Sequence, residues 1–353
     1  MSLAVGTVLY KYELKYRVGG GHFGQVWLAH DRTLSKDVAV KILDESMAPA
    51  AASLREAQVG NRLNHQNVVK VHYADVLSDS GSKLVLIAMD YHPSGSIMGL
   101  VNPGNFVVMP KAIAATIDVL RGLEYLHELH LFHNDIKPSN ILIGDRNEAL
   151  LTDYGISCLS PGLAPTAAPN AYVLHRAPET TLTNTISVAT DIYQVGLTLF
   201  RLANGIGLIR EQKNKLGDAE FERLKTLGKV PAQEDYMPFV SNEIRRIISK
   251  ATHPDPSERY QSALEMRRAL ERIKQYGYWD TEPSGELFGM LGQNKFMYVI
   301  EKSKHGLSMT AYRKNMQSDR TTRVSKYCSS GLSQKAIDQL RKSFFRAVVN
   351  GEI

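Results

Sequence analysis

Apolar and polar positions alternate or cluster with a strand-like period in short stretches of the first ninety residues: 10–18, 25–29, 37–43, 68–76 and 83–90. Gly, Asp and Ser separate them, and one helical stretch, 50–63, interrupts them. Beyond Tyr91 the period lengthens. Ile113, Ile117, Leu120, Leu123, Leu126 and His127 recur at helical spacing over 110–128, with Pro110 suited to a first turn. Stretches 188–202, 242–251 and 262–276 also predict helices. A β-rich first part and a helical second part imply two lobes with a hinge near 90–93. From Gly277 the pattern changes again. Trp279-Asp280 and Pro283-Ser284-Gly285 read as linker and turn chemistry, 295–302 and 307–313 as strands, and Ser333 as the N-cap of a final helix reaching Val349.

Composition narrows the class. The 353 residues are 43% hydrophobic and 22% charged, ordinary for a globular chain and inconsistent with wholesale disorder. Of the net charge of +6, most sits in 277–353, which holds twelve Lys/Arg against seven Asp/Glu. The two cysteines, Cys158 and Cys328, cannot build a disulfide framework or by themselves a structural zinc site, so a reducing compartment is expected. The best apolar run, 84–89, is strand-sized, and residues 1–9 lack a basic segment followed by a long apolar core. The expectation is a cytoplasmic protein without membrane contact.

Four motifs carry chemistry. Gly19-Gly20-Gly21-His22-Phe23-Gly24-Gln25-Val26 spaces glycines so that backbone N–H groups can approach phosphate oxygens. A flexible turn or a dinucleotide-binding loop competes, but the latter requires a following helix. A strand follows here, which favours a β-hairpin lid over nucleotide. In Val38-Ala39-Val40-Lys41, alternation puts Ala39 and Lys41 on one face, so a flat ring fits beside a lysine able to pair with phosphates. A surface lysine ending a strand is the plain alternative. Glu56 is the candidate anion to hold Lys41. In His133-Asn134-Asp135-Ile136-Lys137-Pro138-Ser139-Asn140, an Asx-rich turn explains Asp or Asn singly but not the lysine between them. A functional reading has Asp135 accept or orient a hydroxyl proton, Lys137 neutralise a γ-phosphate and Asn140 ligate Mg²⁺. Thr152-Asp153-Tyr154-Gly155, after apolar 149–151, offers Asp153 as a hard-cation ligand.

Taken in order and at these distances, the motifs resemble the eukaryotic-like (Hanks-type) serine/threonine protein kinase family over roughly residues 10–275. Ala177-Pro178-Glu179, Asp191 and Arg259 continue the match. The resemblance implies an α+β, bilobal kinase fold: an N-terminal lead 1–9, a small lobe 10–90, a large lobe 91–275 and a small basic C-terminal α/β module, 276–353. It implies ATP and Mg²⁺ as cofactors and protein Ser/Thr hydroxyls as acceptors, the latter because Lys137 is typical of serine/threonine kinases. By the same resemblance Met89 is the gatekeeper, and Asp90-Tyr91-His92 is the hinge that hydrogen-bonds adenine. Val26, Ala39 and Leu142 sandwich the ring, Glu179 pairs with Arg259, and Asp191 braces the catalytic loop.

Departures from the family pattern matter as well. Asn134 stands where an arginine commonly binds the activation-loop phosphate, which predicts activity without a strict need for phosphorylation at Ser157, Ser160 or Thr166. Tyr154 replaces a phenylalanine. Gly60, four residues after Glu56, replaces a bulky apolar residue and predicts a mobile helix there, since glycine costs about 1 kcal/mol against alanine. Stretch 170–176 lacks the familiar substrate-seating sequence. In 277–353 the first expectation is that the final helix packs on the rest of the addition or on the kinase. A sharper one makes Arg313, Lys314, Arg320, Arg323 and Lys326, with Tyr312 and Tyr327, a patch for an acidic partner or nucleic acid. The rival functions are a pseudokinase-like nucleotide-binding scaffold and a small-molecule phosphotransferase of related fold.

Overall fold

The structure is a computed structural model and describes residues 3–21, 24–44, 60–79, 82–153, 157–168 and 173–353. Glu56, His22, Phe23, Tyr154, Gly155 and residues 170–172 lie outside the described residues, as does the helical stretch 50–63 except for its end at 60–62, which is helical. The chain divides into two compact units. One comprises Met1–Gly99, Asp118–Arg176 and Thr183–Asp191; the other Leu100–Ile117, Ala177–Leu182 and Ile192–Ile353.

In the first unit, β1 (Val8–Leu9), β2 (Tyr12–Gly21), β3 (Gly24–Asp31), β4 (Lys36–Asp44), β5 (Val71–Asp79) and β6 (Ser82–Met89) form an antiparallel sheet in the order β1-β2-β3-β4-β6-β5. The expected strands are all present, with ends shifted by a few residues. Strand β4 is buried on both faces. Val38, Val40 and Ile42 join Leu14, Trp27, Ala29, Leu84, Leu86 and Ala88 in one cluster, while Leu43 packs with Val71, Val85 and Ile87 in another. That leaves Ala39 and Lys41 facing away from the larger core, as a period of two requires. Gly24 closes the β2–β3 hairpin at φ +138°, and a Cβ there would lie 2.3 Å from the Ile42 carbonyl oxygen, so only glycine fits.

Helix α1 (Met109–Glu128) is followed by β7 (Leu131–Phe132), β8 (Ile141–Ile143), β9 (Ala149–Leu151), β10 (Cys158–Leu159) and β11 (Thr166–Ala167). Then come α2 (Pro178–Thr183), β12 (Thr185–Ile186) and α3 (Val188–Asn204). The paired strands are β8 with β9, β10 with β7, and β11 with β12. Residues Ile192, Tyr193, Leu197, Leu199 and Phe200 of α3 are fully buried, which makes it a core helix. Among the described residues no single helix is long and apolar enough to cross a membrane.

The second unit adds α4 (Leu208–Leu216), α5 (Asp218–Thr226), α6 (Asn242–Ala251) and α7 (Ala263–Glu271). The sequence pattern did not predict α4 and α5, because charged residues dilute their apolar stripe to Ile209 and Phe221. Helix α6 matches its expected span. Ile244, Ile247, Ile248 and Ala251 are buried, and the Ser241 Oγ cap accepts the Ile244 N–H at 3.3 Å. The expected helix 262–276 stops at Glu271, where Arg272 caps it and Ile273 N–H bonds back to the Leu270 carbonyl.

The C-terminal addition is an antiparallel sheet backed by one helix. Strands β13 (Gly277–Thr281), β14 (Leu287–Leu291), β15 (Asn294–Ser303), β16 (Gly306–Asn315) and β17 (Thr321–Arg323) lie in sequence order, and β18 (Ser329–Leu332) also pairs with β16. Helix α8 (Gln334–Asn350) starts at the expected cap, with Ser333 Oγ accepting the Ala336 N–H. Here the linker expectation for Trp279-Asp280 is corrected. Trp279 is central in β13 and 1% exposed. Its ring packs 4.3 Å from that of Phe345, and its Nε1–H donates to the Phe345 carbonyl at 3.2 Å. Gly289 stands opposite it in β14 and leaves room for the indole. The helix packs on the addition and on the kinase-side residues of its own unit. Phe345 meets Phe239, Asn102 Nδ2 donates to Asp280 Oδ1 at 2.8 Å, and Gly104 N–H donates to Thr281 Oγ1 at 3.1 Å.

The basic set expected as one patch in the addition is divided between the two faces of the sheet. Tyr327 is 2% exposed and packs on Phe344, so it offers no ring to a ligand. Arg313 pairs across the sheet with Phe296, which is fully buried, whereas Lys314 and Tyr312 alternate onto the opposite face. Period-two alternation therefore splits the basic residues that are adjacent in sequence.

Candidate active site

Strand β7 delivers the chain into the loop that carries Asp135, Lys137 and Asn140. Asp191 holds the loop at its start: Oδ2 accepts the His133 N–H at 3.0 Å and Oδ1 the Asn134 N–H at 2.7 Å. His127 Nε2 lies 2.9 Å from the same Asp191 Oδ2. Its place on the buried stripe of α1 was visible in the sequence, and a polar residue on an apolar face signals a partner. Asn134 takes φ +62°, a left-handed conformation that asparagine tolerates better than most residues. His133 is fully buried, which lowers its pKa and keeps it neutral. It accepts the Asp135 N–H through Nδ1 at 3.2 Å, and Nε2 lies 3.2 Å from the Thr152 carbonyl oxygen.

Asp135 is held from one side. Its Oδ2 accepts from Lys137 Nζ at 2.6 Å and from Asn140 Nδ2 at 2.8 Å, and Asn140 Nδ2 also donates to the Asp135 carbonyl at 3.0 Å. Its Oδ1 is buried and has no hydrogen-bond partner among the described residues. Burial raises the carboxyl's pKa above the ordinary 3.8, against the pull of Lys137. Such a group is a carboxylate with one oxygen anchored and one that no donor among the described residues reaches.

Lys41 reaches across from β4 and places Nζ 2.9 Å from Asp153 Oδ1. Lys41 is 8% exposed, and Asp153 sits at φ +69° just beyond β9. Burial pushes the Asp153 carboxyl up, but Lys41 and then Lys137 outweigh it and hold the group below its ordinary range. Asp153 also raises the pKa of Asp135, so the two carboxylates share one electrostatic neighbourhood. Among the described residues no cluster of three His, Cys, Asp or Glu is built for a metal. Asp153 and Asn140 instead offer a carboxylate and an amide oxygen, hard donors that suit Mg²⁺ when phosphate oxygens complete the shell. The residues present therefore fit Mg-ATP: two hard oxygen donors, two lysines, and a glycine hairpin in which Gly19, Gly20 and Gly21 pair with Val26, Gln25 and Gly24.

The expected adenine-side residues lie on neighbouring strands of the same unit. In the sheet register Ala39 pairs with Leu28 and Met89, and Val26 with Lys41; Val26, Met89 and Leu142 are half-buried. The hinge expectation changes in detail. The Asp90 N–H already donates to the Lys70 carbonyl at 3.1 Å, and its Oδ1 lies 2.6 Å from His72 Nε2. Tyr91 bonds through its hydroxyl to that of Tyr16 at 2.8 Å. The sequence pattern gave no hint of the last two contacts, because both join residues far apart in the chain.

Separate from this loop, Arg259 in the second unit forks onto Glu179 at 2.9 and 2.7 Å and donates to the His253 and Pro254 carbonyls. Its side chain is fully buried, and its guanidinium stacks 4.9 Å from the centre of the Tyr193 ring.

A family model described as protein kinase domain matches residues 12–271. Among similar proteins, serine/threonine-protein kinase PknB of Mycobacterium leprae (strain TN) is 28% identical over 276 residues, 74% of this chain and 43% of that protein. The probable serine/threonine-protein kinase SCO3848 of Streptomyces coelicolor is 29% identical over 273 residues, 74% of this chain and 39% of that protein. Serine/threonine-protein kinase PrkC of Bacillus subtilis (strain 168) is 28% identical over 269 residues, 74% of this chain and 40% of that protein. The chain spans about two fifths of the length of these curated relatives. With the family model covering well over half of its residues, and with an anchored aspartate, two lysines and two hard oxygen donors in one place, this chain belongs to the protein kinase domain family.

Proposed function

We propose that the chain is a serine/threonine protein kinase that phosphorylates protein hydroxyls. The observation that carries this reading is the Asp135 carboxylate, pinned through Oδ2 by Lys137 and Asn140 while Oδ1 has no partner among the described residues. A serine or threonine hydroxyl set against Oδ1 donates its proton there, and the oxygen is oriented for attack. Lys137, already beside the carboxylate, stabilises negative charge as it builds on the transferring group. Mg-ATP supplies the γ-phosphoryl group. Asn140 and Asp153 would hold the metal, Lys41 would steady the phosphates beneath the glycine-rich loop that begins at Gly19, and Val26, Ala39, Met89, Asp90, Tyr91 and Leu142 would enclose the adenine. Lys137 and the naming of these relatives as serine/threonine-protein kinases support aliphatic hydroxyls as acceptors. Cytoplasmic placement is part of the proposal and is supported by two free thiols, Cys158 and Cys328.

Incubation with labelled ATP and Mg²⁺ tests the reading. Lys41→Met is expected to lower transfer by about 10²-fold, since one preorganised charge near the phosphates is lost. Equal labelling by the native chain and the Lys41→Met variant defeats the enzyme assignment and leaves a nucleotide-binding scaffold.

The activation segment supports activity without phosphorylation. Cys158 and Leu159 pair with Phe132 and Leu131, Ser160 N–H donates to the His130 carbonyl, and Thr166 and Ala167 pair with Ile186 and Thr185. Ser160 is 5% exposed and its hydroxyl donates to the Ala164 carbonyl at 2.7 Å, so backbone pairing and a buried turn order this stretch. The chain with Ser157, Ser160 and Thr166 all changed to alanine is expected to retain activity within about threefold, under 1 kcal/mol of barrier. Loss of nearly all activity in that variant, with the phosphorylated native chain active, overturns this part.

A further inference from the structure

A polar groove runs along one stripe of α8 in the second unit, and none of the residues assigned to phosphoryl transfer lines it. Two adjoining cavities of about 360 and 540 Å³ make it up, and Arg346, Asn350 and Glu352 line both. The smaller adds Lys326 and Lys342; the larger adds Arg272 and Lys274. The two linings together hold five basic side chains, Arg272, Lys274, Lys326, Lys342 and Arg346, against Glu243 and Glu352. Lys342, Arg346 and Asn350 follow one another at intervals of four, so one face of α8 presents them in a row.

Three features describe this groove. First, Arg346, Arg272, Lys274 and Lys342 have no ion-pair partner among the described residues, so no salt bridge offsets the positive charge they bring to it. Second, a further guanidinium stands beside the larger cavity. Arg245 donates to the carbonyls of Val240, which lines that cavity, and Met237 at 3.0 and 2.9 Å, and its guanidinium stacks 5.0 Å from the centre of the Tyr236 ring. Burial, and then the charge of Arg346, lower its pKa. Third, the wall is not purely basic. Phe239, Val240 and Val349 provide apolar surface, and Glu352 Oε1 accepts from Asn350 Nδ2 at 2.9 Å.

A continuous polyanion is poorly served by a groove with two carboxylates and apolar walls. One doubly charged group on a chain that also carries apolar and basic residues suits all three features, and arginine forks match phosphate oxygens. We propose that the groove binds a phosphorylated segment of a partner protein, its phosphate held at Arg346 with Lys342 and Arg272 on either side. The choice of a phosphoprotein as partner rests on the kinase reading, and the site itself does not.

The test is fluorescence anisotropy without nucleotide, using the full chain and three labelled probes: a degenerate peptide with one central phosphoserine, the same peptide with serine, and a mixed-sequence single-stranded DNA. The phosphopeptide is expected to bind at least about tenfold more tightly than its serine counterpart. Arg346→Glu, and independently Lys342→Glu, remove that preference while melting temperature and ATP-dependent labelling stay native. Equal affinity for the two peptides, or a preference surviving both substitutions, overturns the proposal. DNA binding tighter than the phosphopeptide with a steep salt dependence also overturns it and gives the groove to nucleic acid. A chain that selects the phosphopeptide yet transfers no phosphate retains the groove and loses only the kinase assignment.

Discussion

Asp135→Asn is expected to lower kcat by about 10³-fold with little change in KM for ATP. The substitution keeps the shape of the side chain and an acceptor oxygen, so the loop held by Asp191 stays folded. It removes the proton affinity of the one oxygen that faces no protein donor. Lys137 and Asn140 then hold an amide that can orient a hydroxyl but cannot take its proton. The pH profile gives an independent readout. Burial raises the Asp135 pKa above 3.8, so native kcat falls on the acid side with a midpoint above that ordinary value, and the variant lacks this limb. The stability sign follows as well. An acid whose folded pKa is raised is less stable ionised in the folded than in the unfolded chain, so above the unfolded pKa its charge destabilises the fold. The variant should therefore melt no lower than the native protein at pH 7. A kcat within tenfold of native would remove Asp135 from the chemistry.

Arg259→Ala is expected to destabilise the protein by about 3–5 kcal/mol, the range for breaking a buried ion pair by removing one partner. The guanidinium is fully buried and makes a bidentate contact with Glu179, whose side chain is 14% exposed. Truncation strands that carboxylate and leaves the His253 and Pro254 carbonyls without these donors, and it strips the cation from the Tyr193 ring. Urea denaturation reads the loss. Lysine at this position recovers only part of it, because an ammonium cannot fork onto both carboxylate oxygens. A drop below about 1 kcal/mol in the alanine variant would mean that the pair behaves like an exposed one.

Legibility followed the range of the interactions. The strands of the first ninety residues, α1, α6 and the Ser333-capped helix were readable because their signals are local: alternation, helical spacing and a cap. Trp279 was misread as linker. Its neighbours suggested a turn, and only Phe345, 66 residues away, and Gly289 across the sheet explain its burial. The basic set in the addition was divided for the opposite reason. Residues adjacent in sequence looked like one patch until the pleat put Arg313 and Lys314 on opposite faces. In the site, the residue types at Asp135, Lys137, Asn140 and Asp153 were visible as a motif. The donors that orient Asp135, and the contacts of Asp90 and Tyr91, were not.

What the amino-acid order alone determined was the chemistry on offer: glycines spaced for a hairpin, a lysine on an alternating strand, an aspartate, lysine and asparagine within six residues, and an asparagine where the family commonly has an arginine. Those are properties of short segments, set by backbone period and side-chain type. Only the folded chain decided which oxygen of Asp135 is anchored, that Lys41 meets Asp153 across 112 positions, and that Lys342 and Arg346 of the last helix line a groove with Arg272 and Lys274. The reason is physical: pKa, hydrogen-bond geometry and charge pairing depend on distances that distant segments set only when they pack together.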